Sequence, residues 1–338
     1  MAAEGSTRAI IAALLANAGI ATAKFVGAAV TGSSSMLAEG VHSVADTTNQ
    51  GLLLLGQRTA KRRATLQHPF GYGRDRFFWS FIVALMLFSL GSLFALYEGI
   101  EKLSEPHELD SPIVAVIILV VAIALEGFSF RTAIVESAKL KGDASWWQFI
   151  RQSRVPELPV VLLEDAGALV GLVLALGGVG LTVLTGDPIW DGVGTVCIGV
   201  LLGVIAIILV VEMKSLLIGE GSPPEELKTI VGELETGENV ERVIHIKTQY
   251  MGPEELLVAA KLALTPRLSL PEVARAIDEA EARVRAKVPA ARLIYLEPDL
   301  DRQLSGPSDK GTANAAGTAY PGETVGHTGP GGGAPHTG

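Results

Sequence analysis

Six long apolar stretches restrict what this sequence can fold into. They lie at about residues 9–30, 34–57, 77–99, 112–131, 157–181 and 191–217. Each approaches the roughly 20 apolar residues that a helix needs to cross about 30 Å of hydrocarbon. Only 19% of the residues are charged, whereas an ordinary soluble domain has about 25%. The sequence therefore predicts an α-helical membrane protein with six transmembrane helices.

Basic residues between the stretches predict the orientation of the helices. Lys and Arg accumulate at residues 58–76, after the second stretch, and at residues 139–154, after the fourth, whereas the opposite connections are neutral or acidic. By the positive-inside rule, these two connections and both termini face the cytoplasm. The first stretch is long enough to span the membrane, so we expect it to be retained and not removed as a signal peptide.

From about residue 219 the sequence changes to the pattern of a small soluble domain. Ser222 is a helix N-cap followed by prolines and acids, which are typical of a first helical turn. Two strands, an amphipathic helix and a last strand follow, at residues 240–250, 255–264, 273–288 and 293–296. We therefore predict a six-helix transmembrane domain at 1–218, a cytoplasmic α+β domain at 219–300, and a Gly/Pro-rich disordered tail at 301–338.

Ionisable residues inside the predicted spans are the candidates for function, because such groups are costly in hydrocarbon. His42 and Asp46 lie four residues apart on one helix face of the second span, and Glu164 and Asp165 interrupt an apolar run of the fifth. At about 1.5 Å per residue, Asp46 and Asp165 both lie about 18 Å from the outer edge. One imidazole and several carboxylates suit a four-coordinate zinc ion, and manganese, iron(II) or cobalt less specifically. The alternative is that these groups only hydrogen-bond the helices together.

Other features of the sequence narrow the class of protein. Glu126, about 21 Å into the fourth span, is either a relay or entry residue or an interfacial carboxylate. The single cysteine, Cys197, excludes a thiolate metal cluster within one chain. A net charge of −9 disfavours nucleic acid as a partner. No Ser/His/Asp set, zinc-hydrolase histidine motif or glycine-rich phosphate loop is present, so we expect neither an enzyme nor a bound cofactor.

Residues 31–33, 36–46 and 68–74 together resemble the cation diffusion facilitator family of metal transporters. The resemblance covers about residues 1–300. Through residues 163–168 and the Trp-rich loop before them, it is nearest to the mitochondrial zinc-transporter branch and its bacterial relatives. It implies a homodimer, a metal site made by the second and fifth helices, exchange of metal for protons, and a cytoplasmic ferredoxin-like domain that also dimerises.

The sequence departs from the family pattern at the metal site. Most members have His or Asp four residues before the fifth-helix aspartate, but Val161 occupies that position before Asp165. The fourth ligand is then either Glu164, which lies about 100° round the helix, or a water molecule. Some members also bind metal in the soluble domain. Here His245 is expected to be exposed or dimer-facing, and Lys261 would repel a second metal.

These observations predict a transporter that exports zinc, or a similar divalent metal, from the cytoplasm in exchange for protons. Protons compete with the metal for the same donors, and the imidazole of His42 changes charge nearest to physiological pH. A manganese, iron or cobalt exporter and a membrane metal sensor that moves nothing are the alternatives. The resemblance further suggests a bacterial plasma membrane and a dimer contact between Arg74 and Glu220.

Overall fold

The computed structural model describes residues 2–31, 34–106 and 112–299 of the 338-residue chain. Within these ranges, the side chains at positions 2–3, 31, 34–39, 41–42, 45 and 112 lie outside the description. The predicted tail at 301–338 also lies outside the described residues.

Long helices make up the N-terminal part of the protein. They are α1 (Ala2–Thr31), α2 (Ser34–Thr59), α3 (Asp75–Met86), a π-helical stretch (Leu87–Leu93), α4 (Phe94–Ser104), α5 (Pro112–Lys141), the short α6 (Trp146–Gln152), α7 (Glu157–Thr185) and α8 (Ile189–Ile218). Helix α3, the π-helical stretch and α4 are continuous and form one span of 30 residues. The helix order therefore agrees with the six predicted spans.

Among the described residues, five helical segments are long and apolar enough to cross a membrane. They are Glu4–Val30, Asp75–Ser104, Ile113–Lys141, Glu157–Thr185 and Ile189–Ile218. The second predicted span, α2, has 26 residues and is also long enough, but it is more polar. Its polar residues include Asn49 and Gln50, both of which are buried against neighbouring helices. The membrane-protein fold is confirmed. Helix α2 is more polar than the other spans because it contributes buried polar side chains to the protein interior.

The helices pack in pairs around a common core. Helix α1 packs against α2 and α5, α5 against α7, α7 against α8, and α2 against α3. The largest fully buried apolar side chains of this core are Ile10, Leu53, Phe77, Leu158, Leu209 and Met213. Helices α4 and α8 approach closely at Gly99, where an added Cβ would lie 2.7 Å from Val196 Cγ2. Small residues commonly allow such close approach between membrane helices.

The C-terminal part is a three-stranded sheet with two helices. Its elements are α9 (Pro224–Glu235), β1 (Val240–Gly252), β2 (Glu255–Leu264), α10 (Leu270–Lys287) and β3 (Leu293–Asp299). Strand β2 is central, antiparallel to β1 and parallel to β3. The core contains Ile230, Leu234, Leu256, Leu262 and Val284. The predicted order of helix, strand, strand, helix, strand is therefore confirmed.

The loop before α3 contacts the turn between β1 and β2. Gly73 and Gly252 are so close that a Cβ on Gly252 would lie 2.9 Å from Gly73 Cα. Glu220 forms an ion pair with Arg154, whereas Arg74 Nη2 lies 3.8 Å from Met251 Sδ. Within the chain, the partner of Glu220 is therefore Arg154 and not Arg74. Burial lowers the pKa of Arg154, yet an arginine keeps its charge at any ordinary pH.

Candidate metal centre

Helix α7 presents two adjacent buried carboxyl groups to two different neighbours. Glu164 is 6% exposed and Asp165 is 1% exposed. Successive residues of an α-helix point about 100° apart, so the two groups leave α7 in different directions. Glu164 meets side chains of α2, and Asp165 meets side chains of α5.

The Glu164 carboxylate bridges α7 to α2. Its Oε1 accepts a hydrogen bond from Asn49 Nδ2 at 3.2 Å, and its Oε2 accepts one from Gln50 Nε2 at 3.0 Å. Gln50 Oε1 in turn accepts a hydrogen bond from Asn17 Nδ2 of α1 at 3.3 Å. Both oxygens of Glu164 are therefore used within a buried network that ties α1, α2 and α7 together.

Asp165 retains an oxygen that accepts no hydrogen bond from any described residue. Ser129 Oγ of α5 donates to Asp165 Oδ2 at 2.6 Å, while Oδ1 is buried and accepts no hydrogen bond from the residues that the structure describes. Glu126, one turn before Ser129, is 1% exposed. A buried polar atom without a partner needs an explanation, and an ion that completes the site is one.

The structure places the predicted site residues on two neighbouring helices. Asp46 lies on α2, and Glu164 and Asp165 lie on α7, where Glu164 contacts Asn49 and Gln50 of α2. His42 lies one turn before Asp46 on α2, and its side chain is outside the described residues. Among the side chains that are described, no three His, Cys, Asp or Glu residues are arranged around one point as metal ligands.

Glu126 lies on α5 near the residue that contacts Asp165, although the sequence left its role open. It is buried, and Ser129, three residues further along α5, donates a hydrogen bond to Asp165. Two signals in the sequence pointed to this position. Its estimated depth of about 21 Å is within one helical turn of the about 18 Å estimated for Asp165. Ser129 follows three residues later, which puts two polar groups on one face of an apolar helix.

A buried ion pair at the first residue of α7 was not predicted from the sequence. Arg76 Nη2 of α3 donates to Glu157 Oε2 at 2.7 Å, and Arg76 Nε also donates to Glu157 Oε1. Ser6 Oγ accepts from Arg76 Nη2 at 3.4 Å and from Gln57 Nε2 at 2.6 Å. This network joins the ends of α1, α2, α3 and α7. Glu157 precedes Asp165 by eight residues, or about 12 Å along the helix.

The C-terminal α/β part carries no comparable cluster in its described residues. His245 is exposed on β1 and lies opposite Lys261 of β2 in the sheet register. Lys261 Nζ forms ion pairs with Glu297 at 3.0 Å and Asp299 at 3.1 Å. Hydrogen bonds to Glu297 and Asp299 raise the pKa of Lys261, so the ammonium stays charged beside His245. This agrees with the expectation that His245 is exposed and that the lysine disfavours a metal there.

Comparison with known proteins gives consistent matches. A model of the cation efflux transmembrane domain matches residues 10–218. The proton-coupled zinc antiporter SLC30A9, mitochondrial, of Xenopus laevis is 34% identical over 268 residues, covering 78% of this chain and 48% of that protein. Metal tolerance protein C4 of Arabidopsis thaliana is 32% identical over 266 residues, covering 77% and 57%. Magnetosome protein MamB of Magnetospira sp. (strain QH-2) is 23% identical over 284 residues, covering 84% and 92%. The chain spans about half the length of the zinc antiporters that it matches.

Proposed function

We propose that this chain, which belongs to the cation efflux family of multi-pass membrane transporters and is not an enzyme, exports zinc in exchange for protons. The observation that carries the proposal is the buried Oδ1 of Asp165, which accepts no hydrogen bond from the described residues where α7 meets α5. In the proposed site, His42, Asp46 and Asp165 bind the metal. Glu164 aids them by holding α2 against α7 through Asn49 and Gln50.

The choice of zinc rests on the donors and on one relative. An imidazole with carboxylates is a ligand set that zinc accepts in tetrahedral sites, and manganese, iron(II) and cobalt are the second candidates. The Xenopus relative is named a proton-coupled zinc antiporter. We carry that activity to this chain as part of the proposal, together with export as the direction. Zinc is the cargo, and no resident cofactor is part of the proposal.

Proton exchange follows from the chemistry of the ligands. Carboxylates and imidazole bind a metal only when they are deprotonated, so a metal entering the site releases protons. Protons arriving from the more acidic side then displace the metal. Alternating access around a central site would expose it to one side at a time. The Arg76–Glu157 pair ties α3 to α7 at the proposed cytoplasmic end, and it would separate when that side opens.

The remaining features of the proposal concern the whole molecule. Residues 1–218 would form the transport domain, and residues 219–300 a cytoplasmic ferredoxin-like domain that supports a homodimer. Both termini would face the cytoplasm of a bacterial cell, with the protein in the plasma membrane. The accumulation of Lys and Arg at residues 58–76 and 139–154 supports this orientation.

Transport into proteoliposomes tests the proposal directly. Purified protein is reconstituted with a zinc-sensitive dye and a pH dye inside the vesicles, and zinc, manganese, iron(II) and cobalt are compared side by side. We expect zinc uptake coupled to proton movement, and we expect Asp46→Asn and Asp165→Asn to abolish it. Glu98→Gln, which removes an acid paired with Lys102 on α4, is the matched control and should transport normally. Zinc binding without flux would instead indicate a sensor.

A further inference from the structure

We propose that two buried polar layers, stacked between α1, α2 and α7, form a gate that closes the transport pathway at one end. The outer layer consists of Ser6, Thr7, Gln57, Arg76 and Glu157. The inner layer consists of Asn17, Asn49, Gln50 and Glu164. The inference rests on the proposed function, because it assigns how the buried carboxylates of α7 are separated from water.

The two layers repeat at the same spacing on α2 and on α7. Gln50 and Gln57 are seven residues apart on α2, and Glu157 and Glu164 are seven residues apart on α7. Seven residues are almost two helical turns, so each pair lies on one helix face with about 10 Å between its members. The layers are therefore two levels of one seam between the same helices.

The outer layer is closed by hydrogen bonds through both ends of the Gln57 amide. Its Oε1 accepts from Thr7 Oγ1 at 2.8 Å, and its Nε2 donates to Ser6 Oγ at 2.6 Å. Arg76 also donates to Ser6 and to both oxygens of Glu157. The Glu157 side chain is completely inaccessible. Water is therefore excluded from the ion pair that joins α3 to α7.

Buried apolar side chains separate the two layers. They are Leu53 on α2 and Val160 and Val161 on α7, each at most 1% exposed, and all three belong to one core cluster. Each lies three or four residues from a member of either layer on its own helix, so it shares their helix face. An opened outer layer would therefore expose Val161 to water before the inner layer opens.

A cavity of about 370 Å³ adjoins the outer layer. Its lining combines Gln57 and Arg76 of that layer with the exposed residues Lys61, Glu254 and Arg292. Water in this cavity can therefore reach the outer layer directly. The inner-layer residues, all of which the structure describes, do not line it. The outer layer thus lies between the cavity and the buried carboxylates of α7.

A polar seam opens at lower cost than an apolar one. When α2 and α7 separate, amides and carboxylates exchange protein partners for water, so the net loss for each hydrogen bond is small. An ion pair as deeply buried as Arg76–Glu157 adds little net stability, because the loss of hydration offsets the attraction. These properties suit a contact that forms and breaks during each transport cycle.

The rate at which a thiol reagent reaches residue 161 tests the gate. In a Cys197→Ser background, Val161→Cys is labelled with N-ethylmaleimide in full-length protein in nanodiscs, with a chelator and no added metal. Glu157→Gln breaks the outer layer, and Gln57→Ala breaks it without changing a charge. We expect either variant to speed labelling at least about tenfold, because each shifts the population toward the open state. Gln57→Ala decides if Glu157→Gln does not fold.

Two controls distinguish a gate from general loosening. Glu212→Gln removes an acid that pairs with Arg151 outside both layers, and it should leave the labelling rate of Val161→Cys unchanged. Val179→Cys, a buried position further along α7, should keep its wild-type labelling rate in the layer variants. Faster labelling at both positions would overturn the inference, and so would unchanged labelling of Val161→Cys in both layer variants.

A closing variant separates the gate from the proposed function. Arg76→Met with Glu157→Leu puts apolar side chains in the outer layer, and these cannot exchange their contacts for water. Labelling of Val161→Cys should then be no faster than in wild type, while zinc flux should fall at least about tenfold. Normal flux in this variant would overturn the gate. If wild type transports no metal but labelling responds as expected, the layers still control access to α7 and the proposed transport is wrong.

Discussion

Replacing Glu164 by Gln tests whether this residue joins helices or binds the metal. In the structure its two oxygens accept hydrogen bonds from Asn49 and Gln50, and all three side chains are buried. A glutamine at this position keeps one oxygen as a hydrogen-bond acceptor. Its NH₂ group replaces the other oxygen and faces the NH₂ group of Asn49 or Gln50. One charge-assisted hydrogen bond is therefore lost, and one buried donor is left without an acceptor.

The expected loss of stability follows from these contacts. A hydrogen bond to a charged group is worth about 1.5–3 kcal/mol in soluble proteins. Hydrogen bonds between membrane helices contribute less, about 0.6 kcal/mol on average and up to about 1.7 kcal/mol, because the unfolded helices also find partners in the membrane. For Glu164→Gln we expect the free energy of unfolding to fall by about 1–3 kcal/mol. Zinc affinity should fall by much less than for Asp165→Asn.

A charge exchange provides the matched control. The double variant Gln50→Glu with Glu164→Gln puts the carboxylate on α2 and the amide on α7, so the bridge can form again. Asn17 Nδ2, which donates to the Gln50 side chain at 3.3 Å, can donate to the new carboxylate as well. We expect the double variant to recover at least half of the stability lost in Glu164→Gln.

Unfolding in mixed detergent micelles, followed by tryptophan fluorescence, measures the stability, and calorimetry measures zinc binding. One combination of results would refute the reasoning: unchanged stability of Glu164→Gln together with zinc binding weakened more than about tenfold. Glu164 would then act at the metal itself and not by joining α2 to α7.

Two further predictions concern residues outside the metal site. Glu157→Gln leaves the buried guanidinium of Arg76 without a counter-charge, so we expect stability to fall by about 3–5 kcal/mol in the same unfolding assay. The control Glu225→Gln, at an exposed pair, should change nothing, and a loss below about 1 kcal/mol for Glu157→Gln would contradict the prediction. Burial and a hydrogen bond to Glu226 raise the pKa of Tyr250 above its usual value of about 10. This contribution to stability is complete below about pH 10 and is lost as the pH rises further. Thermal unfolding at increasing alkaline pH should therefore show a steeper loss for wild type than for Tyr250→Phe, and parallel losses would exclude the linkage.

The membrane helices and the order of helices and strands in the C-terminal α/β part could be predicted from the sequence. A helix needs about 20 apolar residues to cross the hydrocarbon layer. This property belongs to each segment alone, so it can be read from the sequence without knowing how the segments pack. The candidate residues could be recognised for a similar reason, because ionisable groups such as Asp46 and Asp165 stand out in apolar surroundings. Helix α2 was predicted as one of the six apolar stretches, although it is the most polar of the spans.

Only the tertiary structure decided which buried groups meet. The sequence places Glu164 and Asp165 about 100° apart, but it does not say that Glu164 faces amides of α2 while Asp165 faces Ser129 of α5. It also gives no sign that Arg76 and Glu157 form a buried pair across 81 positions. The rotation of each helix about its axis is set by packing against its neighbours, and periodicity within one helix identifies a polar face without identifying the helix opposite.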